Sequence, residues 1–181
     1  MSESSDRYRK VAADFTERVR AVPPDAWDSP APCQGWVARD VVRHLVEWLP
    51  GLLATVRRTA AEAPPVDDDP LAAWLALHEA ILACLDDPAV AGAEIQFGPF
   101  PTTFEQAVGS FGTGDVLIHT WDLARATGLD ETLDPEEVHR MLEGMQPMDE
   151  MMRGEHFGPK VAVAEDADEQ TKLIAFTGRT P

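Results

Sequence analysis

Cysteine is scarce: only Cys33 and Cys84 occur in 181 residues. Two widely separated thiols build neither a disulfide framework nor a paired-cysteine metal site. Basic residues are also few, with 15 Lys and Arg against 32 Asp and Glu and a formal net charge of −17. A field of that sign repels phosphate backbones and anionic lipid, which argues against nucleic-acid and membrane-surface partners. No apolar run reaches the roughly twenty residues that a membrane span needs. The opening Met1-Ser2-Glu3-Ser4-Ser5-Asp6 is polar and acidic, without the apolar core of a signal peptide. There is no internal repeat, low-complexity tract, phosphate loop, dinucleotide motif or Ser-His-Asp spacing, and no segment carries a sustained strand pattern. These absences lead us to expect a cytoplasmic protein whose residues 1–181 form a single domain.

What is present is helical periodicity. Tyr8, Val11, Ala12, Phe15, Val19 and Val22 recur at helical spacing, which predicts a first helix over 6–22, stopped by Pro23-Pro24. A second helix is predicted over 37–63, with Val41, His44, Leu45, Trp48 and Leu52 inward and a kink at Pro50. A third runs over 70–85, opened by Pro70, with Leu71, Trp74, Leu75, His78, Ile81, Leu82 and Leu85 inward. A loop over 93–101 has room for a short extended piece at 94–97. Thr102 and Glu105 have capping-box spacing at the start of a fourth helix, which ends at Thr127 before Gly128 and is weakened around Gly112. Asp134 and Pro135 open a fifth helix reaching Arg153 with a kink at Pro147, and a short helix over 168–177 closes the chain. The fold class is therefore all-α, and four long helices joined by loops make a bundle.

The stretch Asp115-Val116-Leu117-Ile118-His119-Thr120-Trp121-Asp122 carries the chemistry. Asp115 and His119 stand one turn apart on one face, and Asp122 follows on the same stripe. The helix is otherwise apolar nearly all round, and polar groups inside such a helix are costly unless paired or bound to an ion. His44, on the apolar face of another helix, is the third member of a candidate metal site. Two imidazoles and a carboxylate suit zinc, nickel or iron and leave coordination positions open. The same residues also admit a bland reading, with His44 a core histidine and Asp115–His119 an ion pair. His78 reads as a core histidine or an extra ligand, and Asp122 as a partner of His119 or of the backbone. Cys33 reads as a structural thiol or a low-pKa nucleophile, and His139 and His156 as solvent-facing.

Two further stretches, Pro32-Cys33-Gln34-Gly35-Trp36-Val37 with Asp40 to Leu45, and Asp115 to Gly128, resemble the two metal motifs of the mycothiol-dependent maleylpyruvate isomerase metal-binding domain family. The tail from Phe157 to Pro181 is similar to that of an uncharacterised actinobacterial branch of it. The resemblance implies a DinB-like four-helix bundle with additional C-terminal helices. It implies a divalent metal, zinc first and nickel or iron next, held by His44, Asp115 and His119, and mycothiol as a co-substrate. The isomerase has Glu where this chain has Asp115, and it carries an extra C-terminal domain that this chain does not match.

Two functions follow from the resemblance. One is a metal-dependent S-transferase or isomerase that uses a small thiol on a small electrophile, with Trp48, Leu45 and Ile118 as apolar walls. The other is a non-catalytic metal-binding or stress-response module. Its partners would be the thiol and the electrophile, and a homodimer is the assembly allowed for.

Overall fold

The computed structural model describes residues 2–98, 100–154 and 157–181, with the side chain of residue 100 also left aside. Helix α1 (Glu3–Ala21) starts where the Ser2 side chain accepts from the Ser5 N–H. It ends at Val22, ahead of Pro23-Pro24, which cannot continue it. Its inward stripe is Tyr8, Val11, Ala12, Phe15 and Val19, all buried.

The second predicted helix is two shorter ones, α2 (Ala38–Trp48) and α3 (Pro50–Thr55). Asp40 Oδ2 accepts from the Val37 N–H at 2.9 Å and so closes the start of α2. Pro50 has no N–H to continue the ladder, so the regular helix is interrupted at Leu49, whose backbone stays in the helical region. Helix α3 stops short of the expected residue 63 because Arg57 adopts φ +57, a left-handed conformation that no helix continues through.

Helix α4 (Pro70–Asp86) matches expectation, with Asp69 Oδ1 accepting from the Ala72 N–H at 2.9 Å. A single turn, α5 (Pro88–Ala91), leads into a hairpin of β1 (Glu94–Phe97) and β2 (Phe100–Thr103), antiparallel with Glu94 opposite Thr103. Thr103, not Thr102, caps the next element. Its hydroxyl accepts from the Gln106 N–H at 3.4 Å, while the Thr102 hydroxyl donates to Gln106 Oε1 at 3.2 Å.

The fourth predicted helix is three consecutive turns types: α6 (Phe104–Ala107), a π-helical turn over Val108–Gly112, and α7 (Thr113–Thr127). Thr113 Oγ1 donates to the Val108 carbonyl at 3.2 Å across the widened turn. Gly109 lies there because α1 comes too close for a side chain: a Cβ would sit 2.8 Å from Ser4 Oγ. Gly128, at φ +71, ends α7 in a left-handed cap.

Beyond it come α8 (Pro135–Met145), a 3-10 turn at Gln146–Met148 that contains Pro147, the single turn α9 (Asp149–Met152), and α10 (Glu169–Phe176). Asp134 caps α8, as its sequence position indicated, and Asp168, expected as the first residue of the last helix, caps α10 instead.

Helix α1 packs on α7 and α4, and α2 packs on the same two, so four helices close into a ring around one core. Helix α10 lies against α8 at its side. Trp74, Trp121, Phe15, Phe104, Leu45 and Ile118 fill the interior. Each side chain of this size contributes roughly 1.5–3 kcal/mol on burial. The class is all-α, a helical bundle, and no helix among the described residues is long and apolar enough to cross a membrane.

Candidate metal centre

The site lies where α2 faces α7, under the loop that leads into α2. In that loop the Cys33 carbonyl accepts from the Trp36 N–H at 3.0 Å, and Gly35 takes φ +79. A four-residue turn of this kind needs a residue free to adopt positive φ at its third position, which is why glycine stands there. The turn is pinned by the Ala31 N–H donating to the Trp36 carbonyl and by a bridge between Pro30 and Val37. Trp36 is thereby laid over two imidazoles, with ring centroids 5.8 Å from His119 and 5.2 Å from His44.

Helix α7 supplies Asp115 and His119 one turn apart, and α2 supplies His44. His44 Nε2 is 3.1 Å from Asp115 Oδ2, and His119 Nε2 is 3.5 Å from Asp115 Oδ1. The two imidazoles sit edge to face at 4.8 Å between centroids. One donor atom from each of the three residues lies within 4.8 Å of the other two. Trp48, one turn after His44, donates its indole N–H to Asp115 Oδ2 at 2.7 Å. Burial pushes the Asp115 carboxyl up, but the two imidazoles and the indole outweigh it and hold the group below the usual carboxylate range. His119 is 5% exposed at its side chain and His44 33%, so the cluster opens to solvent on the α2 side.

This donor set fits a divalent ion. With metal–ligand bonds of about 2.1 Å, neighbouring donors of a tetrahedral shell are about 3.4 Å apart. The His44–Asp115 and His119–Asp115 separations lie close to that, and they use different oxygens of Asp115. The short aspartate therefore reaches both imidazoles.

Behind His119 stands a second layer. Asp122 is fully buried, and its Oδ2 is 2.9 Å from His119 Nδ1, at an angle too bent for a well-formed hydrogen bond. That contact leaves Nε2 as the nitrogen directed at Asp115 and His44. Arg179, in the tail after α10, donates from Nε to Asp122 Oδ1 at 2.8 Å and from Nη2 to Oδ2 at 2.7 Å. Burial pushes the Asp122 carboxyl up, yet the contacts with His119 and Arg179 prevail and bring it to about 2. Cys33 Sγ is 3.5 Å from Asp122 Oδ2 and 3.3 Å from Arg179 Nη2. Burial pushes its thiol up to about 12, with Asp122 adding to the shift and Arg179 opposing it. Cys33 is thus a neutral thiol donor and not a low-pKa nucleophile. Cys33, His119 and Asp122 also bring three donor atoms together, but the guanidinium already supplies the cation there.

The remaining candidates fall elsewhere. His78 joins neither donor cluster. It stacks on Trp74 at 5.6 Å and neighbours Tyr8 at 5.8 Å, and burial, with help from Arg9, lowers it to about 4. His139 is exposed and pairs with Glu169 and Glu143. His156 lies outside the described residues. Leu45 and Ile118 are core residues, while Trp48 takes a polar role that periodicity did not reveal. Trp36 and Arg179 lie in the stretches that resemble the family, but neither has a role that the sequence assigns. For Trp36 the Gln34-Gly35 turn was the available signal, and for Arg179 no local pattern exists.

The family profile of the mycothiol maleylpyruvate isomerase N-terminal domain matches residues 8–124. That span contains His44, Asp115, His119 and Asp122, and it stops before Arg179. Two uncharacterized proteins of Mycobacterium tuberculosis, from strains CDC 1551 / Oshkosh and ATCC 25618 / H37Rv, are each 31% identical to the chain over 187 aligned positions. Each alignment covers 96% of this chain and 94% of the relative. No solved structure matches.

Proposed function

Because the chain belongs to the mycothiol maleylpyruvate isomerase N-terminal domain family, we propose that it binds a divalent metal through His44, Asp115 and His119 and uses it in a thiol-dependent reaction. The reaction is the transfer of a small thiol such as mycothiol to a small electrophile, or a thiol-assisted isomerisation of one. The carrying observation is the convergence of three donor atoms from α2 and α7 within 4.8 Å, on a face open through His44. A bound divalent ion at such a site supplies a Lewis acid that lowers the pKa of a thiol or water beside it.

The chain's own residues do the rest. Trp48 holds one oxygen of Asp115 by its indole N–H, so the carboxylate keeps a fixed rotamer. Asp122 directs His119 Nε2 into the cluster. Trp36 covers both imidazoles and limits water on that side, which strengthens the electrostatics within. None of the described side chains around the cluster is an activated nucleophile, since the nearby thiol of Cys33 is pushed up to about 12. The nucleophile in this reading therefore comes from outside the chain, and the family match favours a thiol over water.

One observation favours a second reading, a bundle that binds without turnover. Asp115 Oδ2 already has both the Trp48 indole and His44 within hydrogen-bonding distance, so that oxygen is satisfied without an ion. The deciding experiment offers mycothiol and then simpler thiols to metal-loaded protein with a panel of electrophiles. The enzyme reading expects turnover that disappears in His119→Ala while the helical circular dichroism stays. Turnover unchanged in His119→Ala, or no thiol binding by calorimetry at millimolar concentration, leaves the binding module as the better account.

A further inference from the structure

The last residues of the chain return to the site. After α10 the Gly178 N–H donates to the Ala175 carbonyl at 3.1 Å, and the Arg179 N–H to the Ile174 carbonyl at 3.2 Å. Gly178 takes φ +86 with its Cα pressed against the 158–159 backbone, where a Cβ would meet the Pro159 carbonyl at 3.1 Å. This turn is the left-handed helix ending that glycine permits. It aims the Arg179 side chain inward, where it is 11% exposed.

There the guanidinium spends three contacts on one carboxylate: Nε to Asp122 Oδ1 at 2.8 Å, Nε to Oδ2 at 3.0 Å and Nη2 to Oδ2 at 2.7 Å. Its Nη1 is 3.4 Å from the Thr177 carbonyl and Nη2 is 3.3 Å from Cys33 Sγ. A forked cation of this kind fixes the plane of a carboxylate, which a point charge does not. The oxygen it fixes, Oδ2, is the one 2.9 Å from His119 Nδ1.

We propose that Arg179 is a positioning residue for His119, acting through Asp122, so that the C-terminal tail sets which imidazole nitrogen faces the donor cluster. This rests on reading His119 as a metal ligand, but the contact chain Arg179–Asp122–His119 exists without the ion. A purely structural ion pair would hold the tail down and leave the His119 ring indifferent. The positioning role instead couples the tail to the ring: with the carboxylate plane released, the charged oxygen 2.9 Å from Nδ1 is free to move away, and Nε2 is no longer the only nitrogen presented to Asp115 and His44.

The test uses the full chain, with zinc ion alone as probe. Calorimetric zinc titrations compare wild type, Arg179→Ala, Arg179→Lys, Asp122→Asn and the Arg179→Ala/Asp122→Asn pair. Nitrogen-15 NMR reads the His119 ring tautomer in the metal-free proteins, at a pH where the ring is neutral. Arg179→Ala should weaken zinc binding about tenfold, the low end for losing a group behind a ligand. Arg179→Lys should recover only part of that, and the double variant should be no weaker than Asp122→Asn, because both act along one chain. The wild-type ring should be protonated at Nδ1, and Arg179→Ala should show a mixture. Unchanged ring signals in Arg179→Ala overturn the proposal, as do losses that multiply in the double variant. If Arg179→Ala does not fold, Arg179→Lys decides by the same ring signals. If wild type itself binds no zinc, the metal reading falls, and the ring signals alone judge the role of Arg179.

Discussion

Two histidine–tryptophan pairs stand one turn apart on two inward-facing helices, and they do different things. On α2 the pair is His44 and Trp48; on α4 it is Trp74 and His78. Each indole N–H finds an acceptor on a facing helix. Trp48 donates to Asp115 of α7 at 2.7 Å, and Trp74 donates to Thr16 of α1 at 2.8 Å. The histidines then diverge. His44 meets a carboxylate and a second imidazole, whereas His78 meets the rings of Tyr8 and Trp74 and a burial that lowers it to about 4. A histidine on an apolar stripe thus joins a polar cluster or packs against rings according to what the facing helix brings, and not according to its own helix.

The comparison can be broken most forcefully at the packed pair. Trp74 is fully buried against Phe15, with ring centroids 4.8 Å apart. Trp74→Ala should cost about 3–5 kcal/mol of stability, measured by urea unfolding. Trp48→Ala should cost clearly less, because that ring is only partly buried. Equal losses would mean that the two regions are packed alike.

The next effect belongs to the other pair. A His44→Ala/His119→Ala variant should lose at least about a hundredfold in zinc affinity, near 2.7 kcal/mol, while His78→Ala retains wild-type metal content. Elemental analysis after chelator-free purification checks both. Metal far below one per chain in wild type would sink the site, and loss of metal in His78→Ala would merge the two regions.

A smaller change sharpens the contrast. Trp48→Phe keeps the ring but removes the hydrogen bond to Asp115, and should weaken zinc about tenfold by calorimetry with little change in the unfolding midpoint. The analogous Trp74→Phe should leave zinc affinity untouched.

The remaining effect is a pH dependence. His78 has its folded-state value lowered to about 4, while an unfolded imidazole titrates near 6.5. Between those values the unfolded chain binds the extra proton and the folded one does not. Stability should therefore fall as pH drops from about 6.5 to about 4, and this contribution has no further slope below that. His78→Phe should flatten the slope in unfolding curves taken across that window. An unchanged slope would show that His78 is not the buried neutral group described here.

Legibility followed sequence distance. Helices α1, α4 and α8 were readable because each carries an apolar stripe, with Pro70 opening α4 and Asp134 capping α8, whereas the Ser2 cap that starts α1 at Glu3, ahead of the expected residue 6, was not read. The break at Pro50 and the stop at Gly128 were readable for the same local reason. The hairpin was half missed, because β2 contains Pro101 and its only partner is the short β1. The early end of α3 was missed because Arg57 takes positive φ without a glycine to announce it.

In the candidate site, the pairing of Asp115 with His119 was visible as a spacing of four on a helix, and His44 as a polar residue on an apolar stripe. The sequence by itself thus determined the helical class, most of the helix boundaries and the candidacy of His44, Asp115 and His119, since these depend on turns, caps and periodicity within a few residues. Only the tertiary structure decided that His44 and not His78 faces a carboxylate, and that Trp48 serves Asp115. It also decided that Arg179 reaches Asp122 from 57 positions away. Those outcomes depend on which helices become neighbours, and burial, charge and hydrogen bonding act on distances in space rather than along the chain.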